Sequence, residues 1–172
     1  ENTEKLTKLI NNILEISNLE TGTTEIDRQL VNINGLIEEC KSCYAEVKTI
    51  NLELVDGKSV FVHSDVNRIK SILTKLIDNS IKFADDDQIV MGLSMAENPG
   101  RISIYVEDRG PGIPASMEFA IFERFKKIDE FSQGLGLGLS IAKAEAESLG
   151  GQLILDTKYT GGCRFVLILP KE

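Results

Sequence analysis

The chain has little of what several protein classes require. Three cysteines in 172 residues make no disulfide framework. Cys40 and Cys43 stand three apart in a predicted helix and Cys163 falls in a predicted strand, so all three read as buried thiols in a reducing compartment. No second ligand pair accompanies Cys40-x-x-Cys43, so a metal or redox role lacks its partners. Long apolar runs are missing too: none approaches the roughly 18 residues of a membrane span, and no charged-then-apolar leader opens the chain. Basic charge is scarce. With 19 Lys and Arg against 27 Asp and Glu, the formal net charge of −8 argues against nonspecific nucleic-acid binding.

The only histidine, His63, follows Val60-Phe61-Val62 and has neither a patterned nucleophile nor a metal cluster beside it. It reads as a surface or strand-end residue, and without a presenting helix or a preceding acidic neighbour it makes a poor phosphoacceptor. Gly-x-x-x-x-Gly-Lys-Ser/Thr does not occur, which argues against a P-loop enzyme.

What is present is globular. A hydrophobic share of 42% and a charged share of 27% fit one main domain plus a small appendage. A chain of this length buries about two-thirds of its unfolded surface. The appendage, residues 1–31, begins with Leu6, Leu9, Ile13 and Ile16 at bundle-like spacing, a stripe widened by Ile10 and Leu14. Gly22 is a plausible stop for that helix, and 26–31 reads as extended. A lone helix cannot bury its apolar face, so it folds back, pairs with a second copy, or lacks its partner helix.

Residues 32–172 alternate helical and extended periods. Asn34 is expected to cap a helix through Leu36, Ile37, Cys40, Tyr44 and Val47. Strands are predicted near 50–55, 60–62, 89–95, 101–107, 153–157 and 163–169, and helices over 66–83, 117–125 and 137–149. Turn residues at 97–100 and 159–162 mark two hairpins. The predicted class is α+β: an α/β sandwich whose mostly antiparallel sheet carries helices on one face.

Gly134, Gly136 and Gly138 precede the last helix and have the form of a backbone phosphate cradle. They follow a polar loop, not a strand, which points to a flexible lid and away from a dinucleotide fingerprint. Arg124, Lys126 and Lys127 lie just upstream, within reach of phosphates, and Ile121, Phe122 and Phe125 are expected to anchor the short helix. On the helix 66–83, Lys75, Asn79 and Lys82 share one edge. An Asn carbonyl suits Mg²⁺ and ammonium groups suit phosphate, although a solvated polar edge explains the same spacing. Asp108 ends a strand before Gly110 and Gly112. Its carboxylate suits the exocyclic amine of adenine, with the glycines leaving room for the base, while an Asp-x-Gly turn and a general base or metal ligand are the competing readings.

Taken together these segments resemble the ATP-binding catalytic domain of sensor histidine kinases, in the Bergerat-fold (GHKL) group. Lys75 to Phe83 resembles the N box, Asp108-Arg109-Gly110-Pro111-Gly112 the first glycine box, Ile121-Phe122-Glu123-Arg124-Phe125 the phenylalanine box, and Gly134 to Leu139 the second glycine box. Leu6 to Gly22 is similar to the second helix of the dimerisation and phosphotransfer domain; the first helix, which carries the acceptor histidine, is absent. The resemblance implies that Asn79 holds Mg²⁺ and that Lys82 supports phosphate binding. It gives Asp108, with Gly110 and Gly112, the adenine. Gly134, Gly136, Leu137 and Gly138, with Arg124, Lys126 and Lys127, would cover the phosphates.

The activity implied is phosphoryl donation from Mg-ATP to an outside histidine. The implied partners are a phosphotransfer and dimerisation domain, a response regulator and a second copy in the full-length protein. The implied setting is a cytoplasmic domain of a soluble or membrane-anchored protein. An impaired, regulatory ATP-binding module and a topoisomerase- or chaperone-type ATPase are the alternatives. Two departures stand out: Lys75 replaces a usual Asn, and only Lys126 to Gln133 separates Phe125 from Gly134. An ammonium at position 75 could compensate as a phosphate partner.

Overall fold

The structure, a computed structural model, describes residues 2–54, 58–84, 88–95, 98, 100–127 and 135–172. The chain runs α1 (Asn2–Glu20), β1 (Gln29–Asn32), α2 (Ile33–Cys43), β2 (Thr49–Glu53), β3 (Phe61–Ser64) and α3 (Val66–Phe83). It continues through β4 (Gln88–Met95), β5 (Arg101–Asp108), α4 (Gly138–Ser148), β6 (Gln152–Leu155) and β7 (Cys163–Pro170). Five strands form one sheet in the order β2-β4-β5-β7-β6, and β1 pairs with β3 in a separate ribbon. Only β2 and β4 run parallel within the larger sheet; its other neighbours are antiparallel. The fold is the α/β sandwich expected, with helices packed on one face.

Period-two patterning decides that face. In β5, Ile102, Ile104 and Val106 are buried while Ser103, Tyr105 and Glu107 alternate with them, and Phe165, Leu167 and Leu169 of β7 repeat the pattern. Ile69, Ile72, Leu73, Leu76 and Ile77 of α3 and Leu36 and Ile37 of α2 join the same core. Full burial of each such side chain contributes about 1.5–3 kcal/mol.

Helix starts follow local chemistry. The Oδ1 of Asp65 accepts from the N–H groups of Asn67 (3.0 Å) and Arg68 (3.1 Å), capping α3 where its apolar spacing begins. At α2 the cap is Asn32, not the expected Asn34, because Asn34 Oδ1 accepts instead from Val60 N–H at 2.8 Å. That helix also ends at Cys43, leaving Val47 exposed. The short helix expected over 117–125 is replaced by two 3₁₀ turns, Ala115–Met117 and Ala120–Phe122.

α1 folds back. Ile16 forms a second apolar cluster with Leu137 and Ile141, flanked by Leu9, Leu19 and Leu135. Leu6, Ile10, Ile13 and Leu14 stay exposed, so most of the predicted stripe faces away from this contact.

Candidate functional site

The site is built around the end of β5. Strand alternation sends Asp108 to the helix side, where it is 2% exposed, and Glu107 to the other face, where it pairs with Arg164 at 2.5 Å. Asp108 Oδ1 accepts from the N–H of Gly110 (2.9 Å) and of Cys163 (3.3 Å). The turn and the fixed carboxylate are therefore one arrangement.

The two glycines of this turn admit neighbouring backbone. A Cβ on Gly110 would stand 2.5 Å from the Phe83 carbonyl oxygen, and one on Gly112, at φ +74°, would stand 2.9 Å from that of Gly162. Gly162 is a residue that sequence reasoning missed: a Cβ there would collide with the carbonyl of Asp108. Its only local signal is the Gly161-Gly162 pair, which reads as an ordinary hairpin turn. Beside it, the Arg164 guanidinium lies over the rings of Tyr159 (4.4 Å) and Tyr105 (5.0 Å), buttressing this end of the sheet from its outer face.

The Phe83 carbonyl brings the end of α3 to the Asp108 turn. Asn79 is half-buried one turn earlier, and its amide makes no hydrogen bond among the described residues. The Lys82 ammonium sits 4.7 Å from the centre of the Phe83 ring. Burial, and then the nearby Lys127, hold its pKa below the usual lysine value. Two cations thus lie in each other's field inside an acidic protein.

Lys75 does not join them. Its Nζ lies 2.5 Å from Ser71 Oγ, 3.3 Å from Glu145 Oε2 and 3.4 Å from Glu15 Oε1. The expected line of an amide and two available ammonium groups is thus reduced to Asn79 and Lys82, since carboxylates of α1 and α4 take Lys75 away from the phosphate role foreseen for it.

In the glycine run, Gly134 lies outside the described residues, as do 128–133. Gly136 adopts φ +69° and its carbonyl accepts from the Phe125 N–H at 2.9 Å, while a Cβ on it would stand 2.8 Å from the Lys126 carbonyl oxygen. Phe125 itself has φ +60° and is exposed, so it does not anchor this segment; Phe122 does, edge-on to Phe165 at 6.1 Å. Arg124, Lys126 and Lys127 are exposed beside this joint. The Leu137 side chain is 1% exposed in the cluster with Ile16, which leaves its backbone for any ligand. Gly138 opens α4 with nothing within 4 Å of where a Cβ would stand, and among the described residues no side chain caps this helix. Within that set its first N–H groups are left for an anion.

Contacts thus run from Asp108 through Gly110 and Phe83 to Lys82, within electrostatic reach of Lys127, and by way of Phe125 and Gly136 to Gly138. Among the described residues no group of three or more His, Cys, Asp or Glu could hold a metal ion. His63 is exposed on β3. The cysteines are free, Cys40 and Cys163 buried but Cys43 exposed, contrary to its expected burial. Burial pushes the Cys40 thiol up to about 11 and raises that of Cys163, the latter with help from Asp108.

Residues 64–172 match the family described as histidine kinase-, DNA gyrase B-, and HSP90-like ATPase. Hybrid signal transduction histidine kinase D of Dictyostelium discoideum is 32% identical over 181 residues, which cover 98% of this chain but 12% of that protein. Full-length ShkA, solved with AMPPNP, superposes with a TM-score of 0.82 at 27% identity, over 96% of this chain and 35% of its own. The catalytic domain of histidine kinase ThkA, solved free of nucleotide, gives 0.73 at 27% identity over 84% of this chain and 96% of its own. The chain belongs to the histidine kinase-, DNA gyrase B- and HSP90-like ATPase family and closely resembles the catalytic domains of its sensor histidine kinases.

Proposed function

We propose that this chain is the ATP-binding, phosphoryl-donating part of a two-component sensor histidine kinase, acting on a histidine outside residues 1–172. The observation that carries the reading is the joint between the end of α3, with Asn79 and Lys82, and the Asp108 turn, together with a start of α4 at Gly138 that follows the Phe125–Gly136 contact. A nucleotide asks for this donor set. A buried, immobilised carboxylate accepts from an exocyclic amine, open N–H groups and Lys82 and Lys127 meet phosphate oxygens, and the unengaged Asn79 amide offers an oxygen to Mg²⁺.

Bound Mg²⁺ would supply charge neutralisation across the phosphates. Asp108, with Gly110 and Gly112 shaping its turn, orients the base. Lys82 and Lys127 hold the phosphates, with Arg124 and Lys126 at the rim, and Gly136, Leu137 and Gly138 cover them with backbone; Gly134 belongs to the same run. Positioning and electrostatics then perform most of the catalysis. Residues 1–31 act as the second helix and linker of a dimerisation and phosphotransfer domain, and 32–172 as the catalytic domain. A response regulator and a second copy of the full-length protein complete the partners, in the cytoplasm. Among the described residues no helix is long and apolar enough to cross a membrane.

One observation favours a second reading, an ATP-binding regulatory module that transfers nothing: Lys75, clasped by Glu15 and Glu145, offers no oxygen ligand beside Asn79. The two separate when the chain, Mg²⁺ and labelled ATP are mixed with a phosphotransfer domain bearing its histidine, while nucleotide binding is titrated in parallel. Label on the histidine is expected. Binding without transfer selects the regulatory module, and no binding at millimolar ATP overturns both.

A further inference from the structure

Lys75 is left unexplained by the anion-facing group, yet among the described residues it is a heavily engaged cation. Its side chain is 20% exposed, and its ammonium lies between Ser71 on its own helix, Glu145 of α4 at 3.3 Å and Glu15 of α1 at 3.4 Å. The Glu145 side chain is 5% exposed, and burial raises its pKa against the pull of Lys75. Buried carboxylates without a cation are costly, so Glu145 holds Lys75 in place. The remaining direction of the ammonium is toward α1.

One residue after Glu15, Ile16 packs on Leu137 and Ile141. Beyond the end of α1, the Arg68 guanidinium takes the carbonyls of Thr24 (3.0 Å) and Glu25 (3.4 Å) and the Ser148 hydroxyl (2.6 Å). Between these two attachments a cleft of about 540 Å³, bordered by Asn11, Asn18 and Asn67, remains open. The charge contacts of Glu15 and the apolar contacts of Ile16 thus tie α1 to both α3 and α4 at one point.

We propose that Lys75 is a positioning residue: with Glu15 and Glu145 it forms a latch that seats Ile16 on Leu137 and thereby pins the start of α4. Docked, α1 shields Leu135 and Leu137 within the glycine run. Undocked, those two leucines lose their apolar cover and the first turn of α4 loosens. None of these contacts uses Asn79, Lys82 or Asp108, so the latch operates with or without nucleotide.

Hydrogen–deuterium exchange on the whole chain without nucleotide, at low salt, tests this directly. Glu15→Gln keeps the shape and removes the charge pair, and the amides of residues 135–141 are expected to exchange about fivefold faster. Lys75→Met should do the same, Lys75→Arg should restore slow exchange, and the double variant Glu15→Gln/Lys75→Met should be no faster than Lys75→Met alone. Should Lys75→Met fail to fold because Glu145 is orphaned, Glu15→Gln alone decides the matter. Unchanged exchange over 135–141 in Glu15→Gln, or additive effects in the double variant, overturns the latch. A nucleotide titration of the parental chain keeps this outcome apart from the site: no binding there speaks against the proposed function, whereas faster exchange in Glu15→Gln, measured without nucleotide, speaks for the latch whichever way that titration falls.

Discussion

The carbonyl oxygen of Phe83 closes against Gly110 so tightly that a methyl group on the glycine would lie 2.5 Å from it. This one contact joins the end of α3 to the turn that follows β5. Gly110→Ala must push the two apart, costing about 1–3 kcal/mol in stability. Because Asn79 and Asp108 stand on opposite sides of the joint, affinity for an ATP analogue should fall at least about tenfold, from about 1.4 kcal/mol of lost alignment. Calorimetric titration beside urea denaturation checks both, and unaltered affinity would detach this joint from nucleotide binding.

Asn79 makes no side-chain hydrogen bond among the described residues and is half-buried, so little of the fold depends on it. Asn79→Ala should leave stability within about 0.5 kcal/mol. Mg²⁺-dependent phosphoryl transfer should disappear, while Mg²⁺-free nucleotide binding changes little. Transfer at the parental rate would remove Asn79 from the mechanism.

Asp65 serves two segments at once. Its Oδ1 caps α3 and its Oδ2 accepts from the Asp27 N–H at 3.1 Å. Asp65→Ala is expected to cost about 1–2 kcal/mol by loss of the cap. Asp65→Asn, which keeps an acceptor oxygen, should recover most of it in the same urea titration; equal loss in the two variants would rule out the capping role.

The three thiols should separate by reactivity. Cys43 is exposed, while Cys40 and Cys163 are buried with raised pKa values. A thiol reagent at neutral pH should therefore label Cys43 promptly and the other two only in denaturant. For Cys40 the folded value is above the unfolded one. The associated stability is complete below pH 9.0 and is lost as pH rises toward about 11. Rapid labelling of all three in native buffer would contradict the burial.

Legibility in the sequence follows the range of the interactions. The bounds of α3 agree with the expected 66–83, because both the apolar spacing and the Asp65 cap lie within the segment itself. The sheet strands follow equally local alternation. Asn34 misled because its amide is engaged by Val60, 26 residues away, leaving the cap to Asn32. The partners of Lys75 are 60 and 70 residues distant on other helices, so its edge position on α3 gives no hint of them. Gly162 is as hidden: its neighbour in space, Asp108, belongs to another hairpin. The motif residues could be named from their order along the chain, but which glycines pack on backbone and which face open space is a property of strand pairing.

The register that sets Asp108 opposite Cys163 has a kinetic meaning. These residues are 55 apart in sequence, and the central pairing of β5 with β7 closes around α4. Such a non-local pair forms only after a long loop has lost its freedom, whereas the β6–β7 hairpin can form early. The local Gly110 bond of the Asp108 turn can form early, but the Cys163 bond that fixes its carboxylate waits until the sheet centre zips, and a ligand that needs the fixed carboxylate binds only molecules that have completed that step.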